Sequence, residues 1–203
     1  MKFLNFKKFE KYAIAKSLRF QLFLTLLFFV SYSCIIIFGF TNMSQQIEQS
    51  GYSTADLQNA ATRNEVEVIV GAWQSVIPFV NRLYIFDYLF ILTGVLLFFS
   101  LNALLLKFLK NKGNIQIIPK IGLVLTIFSR TFDALENLFM ILIYTNPSNF
   151  NLTLLNFLSV TSVFKWILVA FEYSVMGIGW VLLLVLTIIA KKNNQKQVET
   201  TGM

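Results

Sequence analysis

Ser129-Arg130-Thr131-Phe132-Asp133-Ala134-Leu135-Glu136-Asn137-Leu138-Phe139-Met140 places an arginine, two carboxylates and an amide inside an apolar run from about Ile118 to Tyr144. A run this long and apolar reads as a membrane-spanning helix. Charges at membrane depth are costly, so these groups must face other helices or a water-filled cavity. At about 100° per residue, Arg130, Asp133 and Asn137 fall within about 60° of one another, and Glu136 lies about 60° further round. They form one polar stripe. Arg130 and Asp133 stand at i,i+3 and can pair. Glu136 and Asn137 need partners from neighbouring helices.

Three further runs are long enough to span: roughly Phe20–Phe40, Phe79–Leu106 and Val163–Ala190. None shows the alternation of an outer-membrane strand, which excludes a barrel. The first run is longer than a signal-peptide core and no small-residue cleavage site follows it, so it reads as an uncleaved anchor. The fold class expected is all-α: an integral membrane four-helix bundle with short extracytoplasmic helices. The organisation expected is a cytoplasmic amphipathic segment over 1–19, a four-span bundle over 20–190 that includes an extracytoplasmic helical cap over 42–78, and a disordered cytoplasmic tail over 191–203. In the N-terminal segment, Phe3, Phe6, Phe9 and Ala13 recur at helical spacing between lysines, as in a helix lying on the inner leaflet.

Composition agrees. Of 203 residues, 56% are hydrophobic and 13% charged, with 22 Phe; mean hydropathy is +0.67. Soluble chains carry about a quarter charged residues. The net charge of +7 does not point to nucleic acid, because the basic residues cluster where apolar runs end. Lys2, Lys7, Lys8, Lys11, Lys16 and Arg19 precede the first span. Lys107, Lys110, Lys112 and Lys120 lie between the second and third, and Lys191, Lys192 and Lys196 follow the fourth. The connection between spans one and two holds only Arg63, and that between three and four holds none. The positive-inside rule then places both termini in the cytoplasm of a cell (inner) membrane protein. The partners expected are the lipid bilayer and anionic lipid at the cytoplasmic face. The lone Cys34 reads as a small buried side chain and permits no intramolecular disulfide. Histidine is absent, which removes the commonest metal ligand, so no metal site and no cofactor is expected.

The connection after the first span carries its own helix signals. Ser53-Thr54-Ala55-Asp56 has the form of a helix start, and Thr62-Arg63-Asn64-Glu65 that of a capping box. Val66, Ile69, Val70, Trp73 and Val76–Ile77 then recur at helical spacing. Two short helices are expected, roughly 54–61 and 63–76, with Trp73 as a packing or interfacial anchor. Phe150 to Ala190 is too long for one simple span, and Lys165 and Trp166 suit an interface. A break or kink near them is expected.

Other polar groups fall in the apolar runs: Asn81, Arg82, Tyr84, Asp87 and Tyr88 in the second, and Lys165, Glu172 and Tyr173 in the fourth. The candidate intramembrane site is Asp87, Arg130, Asp133, Glu136, Asn137 and Glu172, with its acids converging in the outer half of the bundle. Asp56, Gln58 and Trp73 are candidates in the cap. Three readings fit such a cluster. It can hold the helices in register. It can carry a proton, an ion, a small solute or a lipid at an outward-facing polar site. It can be the carboxylate pair of an intramembrane enzyme acting on a lipophilic substrate, with the two acids in separate acid and base roles.

Asp56-Leu57-Gln58 with Trp73, then Asp87-Tyr88-Leu89-Phe90, then Asp133-Ala134-Leu135-Glu136-Asn137 occur in this order. In them the chain resembles a group of small four-span bacterial membrane proteins with no known activity. The resemblance covers roughly residues 20–190. It implies that the cap helices belong to one unit with the membrane acids, and it brings no catalytic residues with it.

The threading is tested by reporter fusions. Fusions after Gly51 and after Ser148 should be active only with a periplasmic-type reporter, and fusions at Gly113 and the C-terminus only with a cytoplasmic one. A cytoplasmic signal at Gly51 would overturn the orientation.

Overall fold

A computed structural model describes residues 6–110 and 112–201. It is helical, with no strand among the described residues. The elements are α1 (Phe6–Ala15), α2 (Leu18–Cys34), a π-helical segment (Ile35–Phe40), α3 (Thr41–Glu48), α4 (Thr54–Gln58), α5 (Arg63–Ala72), a 3-10 turn (Trp73–Ser75), α6 (Ile77–Phe108), a second 3-10 turn (Gly113–Gln116), α7 (Ile117–Tyr144) and α8 (Thr153–Thr201). Four helical stretches are long and apolar enough to cross a membrane: Leu18–Glu48, Ile77–Phe108, Gly113–Tyr144 and Thr153–Asn193. Large apolar side chains such as Phe23, Leu26, Phe38, Val181 and Leu184 point outward. In water such a surface would be unstable; in lipid it is the expected solvent. The chain is an integral membrane protein.

The bundle is built in chain order. α6 packs against α2 and α7, and α7 makes its most extensive interface with α8. α2 touches the bundle along one side only. The cap, made of α3, α4, α5 and the Trp73–Ser75 turn, sits on one end of the bundle. At the other end lie Lys107, Lys110, Lys112 and Lys120.

Local sequence explains the cap. The Ser53 hydroxyl accepts from the Asp56 N–H, and Asp56 accepts in return from the Ser53 N–H; Thr62 and Glu65 form the same reciprocal pair. Both boxes satisfy amides that a helix start otherwise leaves unpaired. The Ser53 bonds hold the Asp56 carboxyl below its ordinary value. A lowered value stabilises the folded cap above the usual carboxylate range, and that contribution is lost as pH falls through it. Leu57, Val66, Ile69, Val70, Trp73 and Val76 are buried in one core with Val80, Leu83, Met140, Ile143, Leu155 and Leu158 of the spans. Trp73 is fully buried, its Nε1 donates to the Tyr52 carbonyl at 3.3 Å, and its ring meets Tyr144 edge-on. It is a packing anchor. Arg63 donates to the Phe150 carbonyl at 2.8 Å, tying α5 to the α7–α8 connection.

Several expectations need correction. α8 runs unbroken for 49 residues, about 73 Å at 1.5 Å per residue. No break occurs at Lys165 or Trp166, because Lys165 is neutralised inside the bundle by α7 and needs no interface. The extra length at the start of α8 packs into the cap core through Leu155 and Leu158. At its other end α8 continues to Thr201, where a disordered tail was expected after Ala190. That stretch contains no Pro or Gly before Gly202, and its Lys and Gln residues favour helix. The first span does not stop at Phe40 but carries on through the π segment and α3 to Glu48. α4 and α5 end earlier than expected, at Gln58 and Ala72. Cys34 is exposed on the apolar outer face of α2 rather than buried. α1 is tied to the bundle as well: Ala13 is buried against Ala103 and Leu106, and Glu10 pairs with Lys120 at 3.0 Å. Phe3 lies outside the described residues.

Gly122 of α7 packs tightly against Asn102 of α6. A Cβ there would stand 2.4 Å from Asn102 Oδ1. Asn102 is fully buried and donates to the Phe98 carbonyl at 2.8 Å, so it cannot swing away. Gly122→Ala should lower stability by about 1–3 kcal/mol, read as a reduced Tm in detergent. Gly71→Ala, where a Cβ meets nothing within 4 Å, should leave Tm unchanged or raise it. Equal effects of the two would reject this packing.

Candidate functional site

The stripe on α7 is buried along its whole length. Arg130, Asp133, Glu136 and Asn137 are each at most 5% exposed. Three neighbours supply the facing groups. From α8, Lys165 Nζ lies 2.7 Å from Asp133 Oδ1 and 3.0 Å from Glu136 Oε1. From the cap, Gln58 Nε2 donates a short hydrogen bond to the same Glu136 Oε1. One turn toward the basic end, Arg130 reaches Asp133 Oδ2 at 3.8 Å and Glu172 Oε2 of α8 at 3.6 Å. Glu172 is fully buried and accepts from Thr126 Oγ1 at 2.7 Å and Ser129 Oγ at 2.8 Å.

Arg130 is held as much by rings as by carboxylates. Its guanidinium lies 5.7 Å from the Phe90 centroid and 5.3 Å from that of Phe98. Tyr32 of α2 stacks on Phe90 at 4.6 Å, and Tyr173 of α8 meets Phe98 edge-on at 5.2 Å. Gly94 makes room for this group. A Cβ at Gly94 would stand 3.2 Å from Arg130 Nε and 3.4 Å from the Tyr32 ring.

Above this floor lies a cavity of about 400 Å³, within the range of small-molecule sites. Its polar lining includes Asp87, Tyr84, Gln58, Arg130, Asp133, Asn137 and Lys165, and its apolar lining includes Ile36, Phe40, Leu83, Phe90, Met140 and Trp166. The π segment turns both Ile36 and Phe40 toward it. Glu136 and Glu172 stand behind the wall as partners of the two cations.

Not every polar group is satisfied. Tyr84 Oη, Glu136 Oε2 and Arg130 Nε are buried with no hydrogen-bond partner in the protein, while the Asn137 amide stands within hydrogen-bonding reach of Asp87. Asp87 is half-buried, lines the cavity, and has no cation within 4 Å among the described residues. Arg82, which sequence alone offers as a third cation, is exposed and outside the cavity. The site thus brings together four carboxylates, Asp87, Asp133, Glu136 and Glu172, with two bases.

The candidates divide by role. Asp87, Arg130, Asp133 and Asn137 line the cavity, and Glu136 and Glu172 anchor its bases. Of the cap candidates, Gln58 alone reaches the site. Asp56 is an exposed capping residue and Trp73 a core residue. Lys165 is missing from the candidate set, because at the sequence level it reads as an interface residue. Its position seven residues before Glu172, about two turns on one helix face, was the available signal. Thr126 and Ser129, which continue the α7 stripe toward the basic end, were legible in the same way.

The chain matches no family model, no curated protein and no solved structure. What the site does is therefore read from its own chemistry.

Lys165→Met should be strongly destabilising, by about 3–5 kcal/mol, because it leaves buried Glu136 without a base and Asp133 with only the longer contact to Arg130. Adding Asp133→Asn and Glu136→Gln should recover part of the loss. Unfolding in detergent, followed by helical circular dichroism, reads both effects. A single variant as stable as the parent would show that Lys165 does not hold these acids.

Proposed function

We propose that the protein binds and handles a small solute or lipid at this intramembrane polar site. The cap is placed outside the cytoplasm and both ends of the chain inside, following the basic residues. Anionic lipid is the proposed partner of the lysine-rich end. The observation that carries the reading is the pair of buried polar atoms beside the cavity without a partner in the protein, Tyr84 Oη and Arg130 Nε. A network that served only to join helices would leave few such atoms, because each costs about 1–3 kcal/mol. Interhelical polar contacts in membranes return only about 0.6 kcal/mol on average. Acid–base catalysis by Asp133 and Glu136 is less well supported. Lys165 binds both, so their environments do not separate an acid from a base.

Tyr84→Phe separates a binding site from a scaffold. It removes a hydroxyl that bonds to nothing in the protein. Tm in detergent should stay within a few degrees of the parent or rise. Complementation of the deletion defect should fall sharply at normal yield of folded protein. Asp133→Asn and Glu136→Gln should lose function beyond any loss of folded protein. Function that tracks folded protein in all three variants would leave the cluster a scaffold.

A further inference from the structure

We infer that the cavity takes an organic cation, an ammonium group on an apolar body, with Asp87 as its counter-ion. The inference rests on the cavity being a ligand site and names the chemistry of the ligand. Charge comes first. Lys165 is engaged by Asp133 and Glu136, and Arg130 by Asp133 and Glu172. Asp87 faces the same cavity and has no base within 4 Å among the described residues. An anion entering here would meet an excess of two carboxylates. A neutral ligand would leave Asp87 as it is. A cation gives Asp87 a partner and halves that excess, in a place where water competes poorly. A bare metal ion is a poor fit, since no three acidic, His or Cys groups converge to hold one among the described residues.

The walls favour the same ligand. Tyr32 and Tyr84 present rings to the cavity, and aromatic faces attract ammonium groups; Phe90 and Trp166 line it too but already hold the cations of Arg130 and Lys165. Tyr84 is 4% exposed, its hydroxyl has no partner in the protein, and its oxygen can accept from an ammonium N–H. The buried Asn137 amide stands beside Asp87 and supports that carboxylate. The apolar body has a place as well. α2 and α8 flank the cavity without forming a packed interface with each other. Ile36 on one side and Trp166 on the other are 40% and 62% exposed. A chain leaving between them enters lipid directly. The shared chemistry is an ammonium on an alkyl chain, whether from a free amphiphilic amine or an aminophospholipid.

Three probes with one tail test the head group. Decylamine, decanol and decanoate are titrated into the full-length protein in maltoside detergent and followed by calorimetry. Decylamine should bind at least tenfold tighter than decanol, and decanoate weakest. Asp87→Asn should abolish the preference for decylamine while leaving decanol binding within threefold; Asp87→Glu should retain it. Because the head-group order is read on the parent protein, the inference stays testable if Asp87→Asn folds poorly. Decanol bound as tightly as decylamine would reject the cation and keep the ligand site. Decanoate bound most tightly would also overturn it. No binding of any probe would reject the site itself. Displacement of decylamine by phosphatidylethanolamine vesicles, but not by phosphatidylglycerol vesicles, would assign the ammonium to a membrane lipid. Displacement by neither would assign it to a free amine.

Discussion

One ammonium holds the upper half of this bundle together. Lys165 of α8 sits between Asp133 and Glu136 of α7, at 2.7 and 3.0 Å. The Glu136 oxygen it touches also accepts from Gln58 of the cap. A single carboxylate thus fixes the positions of a span, its neighbour and the cap above them. Arg130 and Glu172 make the matching tie further down the same two helices. Seven residues separate Lys165 from Glu172, about two turns, so both ties lie on one face of α8. Sliding α8 along α7 would strand all of these charges in an apolar medium. Register between the two helices is set by that penalty rather than by apolar packing, which a uniform run of Leu, Ile and Val would specify poorly.

The pairing is lopsided, and the imbalance is local. Four acids meet two bases; Lys165 and Arg130 share three of the acids between them, and the fourth, Asp87 on α6, has neither base within 4 Å. Replacing buried ion pairs by apolar side chains is often neutral or stabilising. A bundle that needed only cohesion would have little use for a carboxylate without a base and an unpartnered tyrosine hydroxyl around one cavity. The aromatic floor makes the same point from below. Arg130 lies over Phe90 and Phe98, and Gly94 keeps the space clear. That arrangement orients a cation without spending carboxylates on it.

The helices, both capping boxes, the periodic face of α5 and the buried stripe on α7 were legible in the sequence because each is a local pattern. What was not legible depends on contacts between distant residues. Gln58 and Glu136 are 78 positions apart, and nothing local in either segment announces their meeting. Lys165 looked interfacial because a lone lysine beside a tryptophan in an apolar run usually is. Its partners lie on another helix. The same gap explains α8. Hydropathy measures how much apolar chain there is, not whether part of it is covered by a cap, so Leu155 and Leu158 read as excess length rather than as cap core. Cys34 was misplaced because burial and lipid exposure look alike in an apolar span.

The cap and α2 differ in how firmly they close the cavity. The cap contributes Leu57, Val66, Ile69, Val70 and Trp73 to a core shared with α6, α7 and α8. It is held further by Arg63 on the Phe150 carbonyl and by Gln58 on Glu136. Lifting it would expose fully buried side chains, including Trp73, at a cost of several kcal/mol for the large residues alone. On the other side, α2 and the π segment touch α6 but do not form a packed interface with α8. Most of the large side chains of α2 already face outward. The cap is therefore the firmer wall of the cavity, and α2 with the π segment the looser one.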